Sequence, residues 1–165
     1  MILSNGVMVE LLRQGEIMHK PRIRNIALCV LSNNGKILAF EGYDYLKPEK
    51  FYRPLGGGIH FGETARDAVI REISEELGVE IDEPRLLGVL ESIFHHNGLP
   101  GHEIVFVFDA HLKDPSLYQK PQLPAFEDDR TELKAIWLDL ASQPSSGIPL
   151  YPDGLFDLMK QSNII

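Results

Sequence analysis

Three glutamates, Glu72, Glu75 and Glu76, crowd one short stretch, and three glycines, Gly56, Gly57 and Gly58, stand a little ahead of them. Carboxylates can hold a divalent cation through hard oxygen atoms, or can take and give protons. On a helix, Glu72 would face both Glu75 and Glu76, and like charges at those spacings cost about a few tenths of a kcal/mol. The acids also fall toward the C-terminal half of such a helix, where its dipole disfavours them. Stability alone would place Lys or Arg there, so the alternatives are a solvated acidic face or a bound cation that offsets the repulsion. The glycines permit positive φ and close backbone approach. Their carbonyls can face a metal and their amides a phosphate. No GK[ST] follows them, and G-x-G-x-x-G is not met in a strand-to-helix context, which excludes a P-loop and a dinucleotide turn.

The helix that must carry the acids is well signalled. Thr64 is the expected N-cap with Asp67 as its partner, and Gly78 is the expected stop. With Ala65 at zero and about 100° per residue, Val69, Ile73, Leu77 and Ile70 fall at about 40°, 80°, 120° and 140°. They form the expected core stripe. Glu75, Glu72 and Glu76 fall at about 280°, 340° and 20°, on an adjoining face shared with the small Ala65 and Ala68. Arg66 lands inside the apolar sector, which this geometry leaves unexplained unless it snorkels at the first turn. Arg71 lies beside Glu75, in reach of Glu75, Glu63 or Asp67.

Strands must supply the rest of the frame. Met8–Leu12 reads as a short first strand. Ile23–Ser32 is an apolar, branched run expected to be a buried strand. Asn33–Gly35 is a turn signal leading into "KILAFEGY", so the two make a hairpin. Pro54 suggests an edge or strand-end position for the segment entering the glycines. "RLLGVLESIFHH" reads as a strand bent at Gly88, Asn97–Gly101 as a loop, and "HEIVFVFDAHL" as a strand apolar on both faces, hence covered on both. "KDPSLYQKPQLPAFEDD" reads as an extended loop, "ELKAIWLDL" as a last strand, "SQPSSG" as a turn, and Gly154–Gln161 as a closing helix. The expected fold class is α/β, a mixed sheet between helices.

Size and charge bound the function. The 165 residues suit a single domain over 1–165, and 44% hydrophobic with 24% charged residues is ordinary for a globular chain. Acids outnumber bases 24 to 16, for a net charge of -8, which argues against a general nucleic-acid coat. A phosphorylated substrate remains open, because a divalent metal reverses the local field. The single cysteine, Cys29, sits in an apolar run and is expected to be a buried strand thiol. The opening residues have no basic leader, and no stretch approaches spanning length, so the expectation is a cytoplasmic protein with no membrane partner.

With these residues in place, Gly57–Val79 resembles the Nudix box, G-x5-E-x7-R-E-U-x-E-E-x-G-U, where U is a large aliphatic residue. Gly57, Glu63, Arg71, Glu72, Ile73, Glu75, Glu76, Gly78 and Val79 fill every specified position. The resemblance implies a Nudix-type (MutT-like) α/β/α sandwich with a mixed curved sheet. It implies a hydrolase that cleaves a pyrophosphate bond in a nucleoside diphosphate linked to a group X, with Mg2+ or Mn2+ as cofactor. Glu72, Glu75, Glu76 and the Gly56 carbonyl are then the implied metal ligands. Glu72, Glu76 and Arg71 are the implied catalytic residues. Members differ in which carboxylate positions the attacking water, and Glu72 is the choice here. Glu63 is expected to brace the loop against the helix. One position departs from the family: the acid often found three residues before the first Glu is His60 here, and a neutral imidazole is a poor magnesium ligand.

Outside the box the signals thin. Arg53 leads into the glycines, so Arg53, Gly57 and Gly58 are the candidate substrate contacts, against the plainer reading of Arg53 as a surface arginine. Glu91 and Glu103 flank a loop and either point at the pocket or are surface polar residues; His95, His96 and His102 have no zinc spacing. Glu127, Asp128, Asp129 or Glu132 could add an acid to the site, or form a solvated run. Trp137 is expected in the core, while Phe94, Phe126 and Tyr151 are candidate base-stacking rings. The expected partner is a small nucleotide: a nucleoside triphosphate, ADP-ribose or another nucleotide sugar, with capped RNA disfavoured by the acidity. The family resemblance also allows a homodimer. The alternative to the hydrolase is a catalytically silent Nudix-fold nucleotide sensor; a metal-binding structural protein of unrelated fold is more remote.

Overall fold

The computed structural model describes residues 21–126 and 131–164. The strand expected at Met8–Leu12 and the acids Glu127, Asp128 and Asp129 lie outside the described residues. Seven strands, β1 (Arg24–Asn33), β2 (Lys36–Asp44), β3 (Glu49–Gly58), β4 (Arg85–His96), β5 (Leu99–Ala110), β6 (Gln122–Phe126) and β7 (Glu132–Asp139), form a sheet in the order β4-β5-β1-β3-β2-β7-β6. The β1–β5 pair is parallel and the other pairs are antiparallel, so the sheet is mixed. Helix α1 (Ala65–Leu77) covers one face, and α3 (Leu155–Gln161), preceded by the short α2 (Gln143–Ser146), covers the other. This is the expected α/β/α sandwich. Among the described residues no helix is long and apolar enough to cross a membrane.

Alternation along β1 explains its composition. Ala27, Cys29 and Leu31 enter the core under α1, while Ile26, Leu28 and Val30 enter the core under α3. A strand buried on both faces has no room for a polar position. The β5 centre behaves alike, with Val105 and Val107 on one side and Phe106 and Phe108 on the other. Cys29 is fully buried, and that burial pushes its thiol up from the ordinary value.

The β1–β2 hairpin turns at Asn34 and Gly35, both with positive φ, but only Ser32 and Asn33 pair across it. Beyond that point β1 and β2 separate and β3 fills the gap. Its residues Glu49 to Pro54 pair with β2, and Leu55 to Gly58 pair with β1. Pro54 therefore lies inside the sheet, contrary to the edge position expected from its sequence. It is tolerated because it falls at the changeover, where pairing with β1 has not yet begun.

Three other expectations need correction, and a fourth holds. Asn97 and Gly98 alone make the β4–β5 turn, and Leu99 to Gly101 already belong to β5. Pro100 is accommodated there because β1 reaches β5 only from Glu103 onward. The proline-rich segment read as a loop holds a 3₁₀ turn, Pro115–Gln119, and then β6, whose Leu123 and Ala125 are buried in alternation with exposed neighbours. Pro124 fits because β6 is an edge strand. The turn read in "SQPSSG" contains α2. The bend expected at Gly88 is present as a register shift between Leu86 and Gly88.

Helix α1 begins and ends where its caps place it. The Asp67 amide donates to Thr64 Oγ1 at 3.1 Å, the Thr64 hydroxyl donates to Asp67 Oδ2 at 2.7 Å, and Gly78 closes the helix in the left-handed region. Its buried face is not the one expected. Ala68, Val69, Glu72, Ile73 and Leu77 are buried, whereas Ile70 is 38% exposed. The buried arc is thus turned toward the glutamates, which also moves Arg66 out to the surface, 3.6 Å from Glu83. The glycine end of β3 carries no side chains, so the helix settles on that side.

This rotation sets a stability contrast. Ile73→Ala should lower the unfolding free energy by about 2–5 kcal/mol, the usual cost of emptying a packed site. Ile70→Ala, one turn-edge away, should cost less than about 1 kcal/mol. Urea denaturation of the two variants measures the difference, and equal losses would contradict the packing described.

Candidate active site

The site starts from the backbone of β3. Gly56 has φ +127, and a Cβ there would run into the carbonyl oxygen of Ala27 on β1. Its amide donates to Glu76 Oε2 at 2.8 Å. A Cβ on Gly57 would stand 2.6 Å from the Glu72 carboxylate. Only glycine at 57 lets that carboxylate lie against the strand. The carbonyl of Gly58 accepts from Arg71 Nη2 at 2.9 Å.

Arg71 is the organiser of the acids. Its Nε donates to Glu63 Oε1 at 2.8 Å and its Nη2 to Glu63 Oε2 at 3.0 Å, a two-pronged pair. Its Nη1 donates to Glu72 Oε1 at 2.9 Å and to Glu75 Oε2 at 2.8 Å. One guanidinium thus joins the loop acid Glu63, the helix acids Glu72 and Glu75, and the glycine strand. Asp67, the third partner considered for Arg71, bonds instead to the Thr64 cap. The Arg71 pairing, helped by the His60 amide at 3.0 Å, pulls the Glu63 carboxyl down from 4.5 to about 2. The same contacts, led by Glu63, raise the Arg71 guanidinium further above its ordinary value.

Four carboxylates, Glu63, Glu72, Glu75 and Glu76, share this corner with the Arg71 guanidinium, so the corner is net negative. Such a corner attracts a cation and repels a bare phosphate chain. The donors fit Mg2+ or Mn2+ in kind, being carboxylate and backbone oxygens, and the side-chain-free cradle at Gly57 leaves the Glu72 carboxylate a place beside the strand. Their arrangement is less converged than the sequence suggests. Among the described residues no three His, Cys, Asp or Glu side chains gather where they could hold one ion. Glu72 and Glu75 are drawn onto Arg71, while Glu76 is drawn onto the Gly56 amide.

The remaining candidates divide. His60 is an exposed residue whose ring nitrogen lies 3.9 Å from Glu63, so the position that departs from the box borders Glu63. Arg53 Nη2 lies 3.5 Å from Glu103 Oε2. Glu91 and Glu103 do not share a face: Glu91 is opposite Ile104 and Glu103 is opposite Ser92, so the two alternate. Glu91 instead meets His102 at 2.9 Å. His96 lies 3.8 Å from Asp44. Lys47 Nζ donates to the His95 carbonyl at 3.2 Å. Glu132 is exposed at the start of β7, opposite the exposed Phe126. Trp137 is half-buried, packs on Tyr118 and donates to the Lys120 carbonyl at 3.0 Å. Phe94 covers Gly101, and Tyr151 packs on Phe51. Sequence reasoning missed Asp44, a buried carboxylate that accepts from the amides of Leu46, Lys47 and Asn97 and so ties two turns together. It also missed that Glu103 is buried. An acid inside a strand, two residues from Val105 and four from Val107 and so on their face, was the available signal.

Two outcomes follow from this geometry. Glu63 has a depressed folded-state value, so its contribution to stability is complete above about pH 4.5 and is lost as the pH falls toward 2. Arg71→Gln should return the Glu63 carboxyl toward about 4.3 and flatten that acid limb. Carboxyl-carbon NMR titration reads the shift, and an ordinary Glu63 value in the unmodified protein would contradict it. Separately, Gly57→Ala should cost about 1–3 kcal/mol by overpacking against Glu72. At Gly58 a Cβ would meet no atom within 4 Å, and Gly58→Ala should cost under about 1 kcal/mol. Thermal unfolding compares the pair.

The comparisons with known proteins bear on family and fold. The family model described as NUDIX domain matches residues 21–148. The Bacillus subtilis (strain 168) protein called "Uncharacterized Nudix hydrolase YvcI" is 36% identical over 72 residues, 43% of this chain and 42% of that protein. The "m7GpppN-mRNA hydrolase NUDT17" of Xenopus laevis is 29% identical over 140 residues, 77% of this chain and 47% of that protein. The matched region thus spans less than half the length of either relative. Among solved structures, a MutT NUDIX hydrolase from Burkholderia pseudomallei superimposes with TM-score 0.56 at 25% identity, covering 73% of this chain and 86% of its own.

Proposed function

The chain belongs to the Nudix family, and on that premise we propose that it hydrolyses a pyrophosphate bond in a nucleoside diphosphate linked to a second group. The observation that carries the reading is the net-negative corner in which α1 sets its acids against a glycine strand. In this reading Glu72, Glu75, Glu76 and the Gly56 carbonyl hold the divalent cation whose use is typical of the family. When bound, the cation supplies polarisation of the phosphoryl oxygens and stabilisation of the leaving phosphate. Glu72, buried at 5% exposure, positions the attacking water and accepts its proton. Glu76 is fixed by the Gly56 amide. Glu75, the more exposed partner of Arg71, is the acid with most freedom to swing from the guanidinium to a ligand. Arg71 holds the carboxylates of Glu63, Glu72 and Glu75 together and offsets part of their charge. The side-chain-free backbone at Gly57 and Gly58 lies along the substrate phosphates, and Arg53 meets a phosphate further along the chain.

The reading covers nucleoside triphosphates, ADP-ribose and other nucleotide sugars. The name of the Xenopus relative adds an m7GpppN compound to the panel worth testing. The rival reading, a nucleotide sensor without turnover, is favoured by one observation: Glu72 and Glu75 are bonded to Arg71, and among the described residues no three acids gather where they could hold one ion.

Hydrolysis of that panel with Mg2+, with the products resolved, separates the two. The proposal expects at least one compound to be turned over, with the label of 18O-water in one product. It expects Glu76→Gln to lower the rate by about a hundredfold or more. Tight metal-dependent nucleotide binding with no turnover of any compound would overturn the hydrolase in favour of the sensor.

A further inference from the structure

A cavity of about 560 Å3 lies at the C-terminal end of α1. Its floor is apolar. Leu77 closes the last turn of α1, Leu117 comes from the 3₁₀ turn and Leu123 from β6, and all three are buried. Val79, half-buried, and Pro124, exposed, form an apolar rim. None of Glu63, Glu72, Glu75 and Glu76 lines it, so it is separate from the acidic corner. The walls are fixed by the backbone. Lys113 N donates to the Glu80 carbonyl at 3.0 Å and Asp82 N to the His111 carbonyl at 2.8 Å, which ties the segment after α1 to the segment after β5. Leu112 N donates to the Tyr118 hydroxyl at 2.8 Å, and Trp137 Nε1 donates to the Lys120 carbonyl at 3.0 Å, which fastens the 3₁₀ turn. A preformed apolar hollow of this size is the usual form of a small-molecule site, and fixed walls lose little affinity to ordering.

Charge selects the kind of molecule. Glu80, Lys113, Asp114 and Lys120 are the charged residues of the lining. Lys113 Nζ donates to Glu80 Oε2 at 3.0 Å, so those two offset each other. Asp114 accepts the Ser116 amide at 2.9 Å as the cap of the 3₁₀ turn. Among the described residues the Lys120 ammonium makes no hydrogen bond and no ion pair, so it is the lining group left to donate to an anion. The carbonyl end of α1 disfavours an anion beside Gly78. That fixes an orientation, with the charged end of a ligand at Lys120 and its apolar body over the leucines toward α1.

We infer that this cavity is a second binding site, for a small molecule with an apolar body and a single anionic group such as a carboxylate or sulfonate. The inference rests on the cavity and its lining and does not depend on the hydrolase reading. A molecule seated there touches Leu77 and Gly78, at the end of the helix that carries Glu75 and Glu76.

The probe is anilinonaphthalene sulfonate, an aromatic body with one sulfonate, titrated into the metal-free full chain. Its fluorescence gives the affinity, and two-dimensional amide NMR gives the place. Saturable binding is expected, with shifts centred on the amides of Gly78, Val79, Leu117 and Leu123. Lys120→Gln should weaken it by about threefold, and Glu80→Gln, which releases Lys113 from its partner, should tighten it by about threefold. Val79→Phe, which fills the hollow from its rim, should weaken it by about tenfold. Lys160→Gln, which removes the same charge from α3 on the other face of the sheet, should leave it unchanged. No saturable binding, shifts confined to residues outside the lining, equal losses in Lys120→Gln and Lys160→Gln, or weaker binding in Glu80→Gln would each overturn the inference. If Val79→Phe fails to fold, the charge variants, all at exposed positions, carry the test. Failure here is distinct from failure of the hydrolase reading: a chain that turns over nucleotides yet binds the probe without regard to Lys120 loses this inference alone.

Discussion

Glu63, Glu72 and Glu75 stand together because the Arg71 guanidinium stands among them, with contacts of 2.8 to 3.0 Å. Without that cation the loop acid would have no reason to fold against the helix acids, and the two acids on α1 would repel. Arg71 also donates to the Gly58 carbonyl, so the same side chain fastens α1 to the strand beneath it. Glu63, two-pronged on Arg71 and backed by the His60 amide, closes the loop between β3 and α1. The polar site and the helix–sheet packing are therefore one construction.

That construction needs a strand with nothing on it. Gly56 avoids the Ala27 carbonyl, and Gly57 avoids the Glu72 carboxylate. The helix can then turn its acidic edge inward and still keep Val69, Ile73 and Leu77 in the core. The cost is visible at Ile70, an aliphatic side chain left largely in water. The path of β3 answers to the same demand. It leaves β2 after Pro54 and joins β1 through Leu55 and the glycines, which delivers the glycine backbone to the middle of the sheet under α1.

Much of this was legible in the sequence where one local rule decided the outcome. Thr64 and Gly78 mark the helix ends, Asn34-Gly35 marks the hairpin, and the two-sided apolar runs mark β1 and β5. The acidic face of α1 was legible from spacing, and the Nudix box named the family. The errors arose where long-range packing overrode the local signal. A helical wheel assigns Ile70 to the core because it weighs side chains and cannot weigh a glycine strand on the opposite flank. Pro54 and Pro124 argue against central strands, yet one sits at a change of partners and the other on an edge. Glu91 and Glu103 look equivalent beside a turn. The register between β4 and β5 sends one into solvent with His102 and the other into the interior with two arginines.

We propose that the corner built by α1 and the glycine strand takes a divalent cation. Diffraction from crystals soaked in Mn2+, collected to show the anomalous signal of manganese, tests it most directly. A peak bounded by Glu72, Glu75, Glu76 and the Gly56 carbonyl is expected, with the Glu75 side chain moved off Arg71. A protein that takes up manganese elsewhere, or leaves Arg71 holding Glu72 and Glu75 with no peak between the helix and the glycine strand, would contradict it.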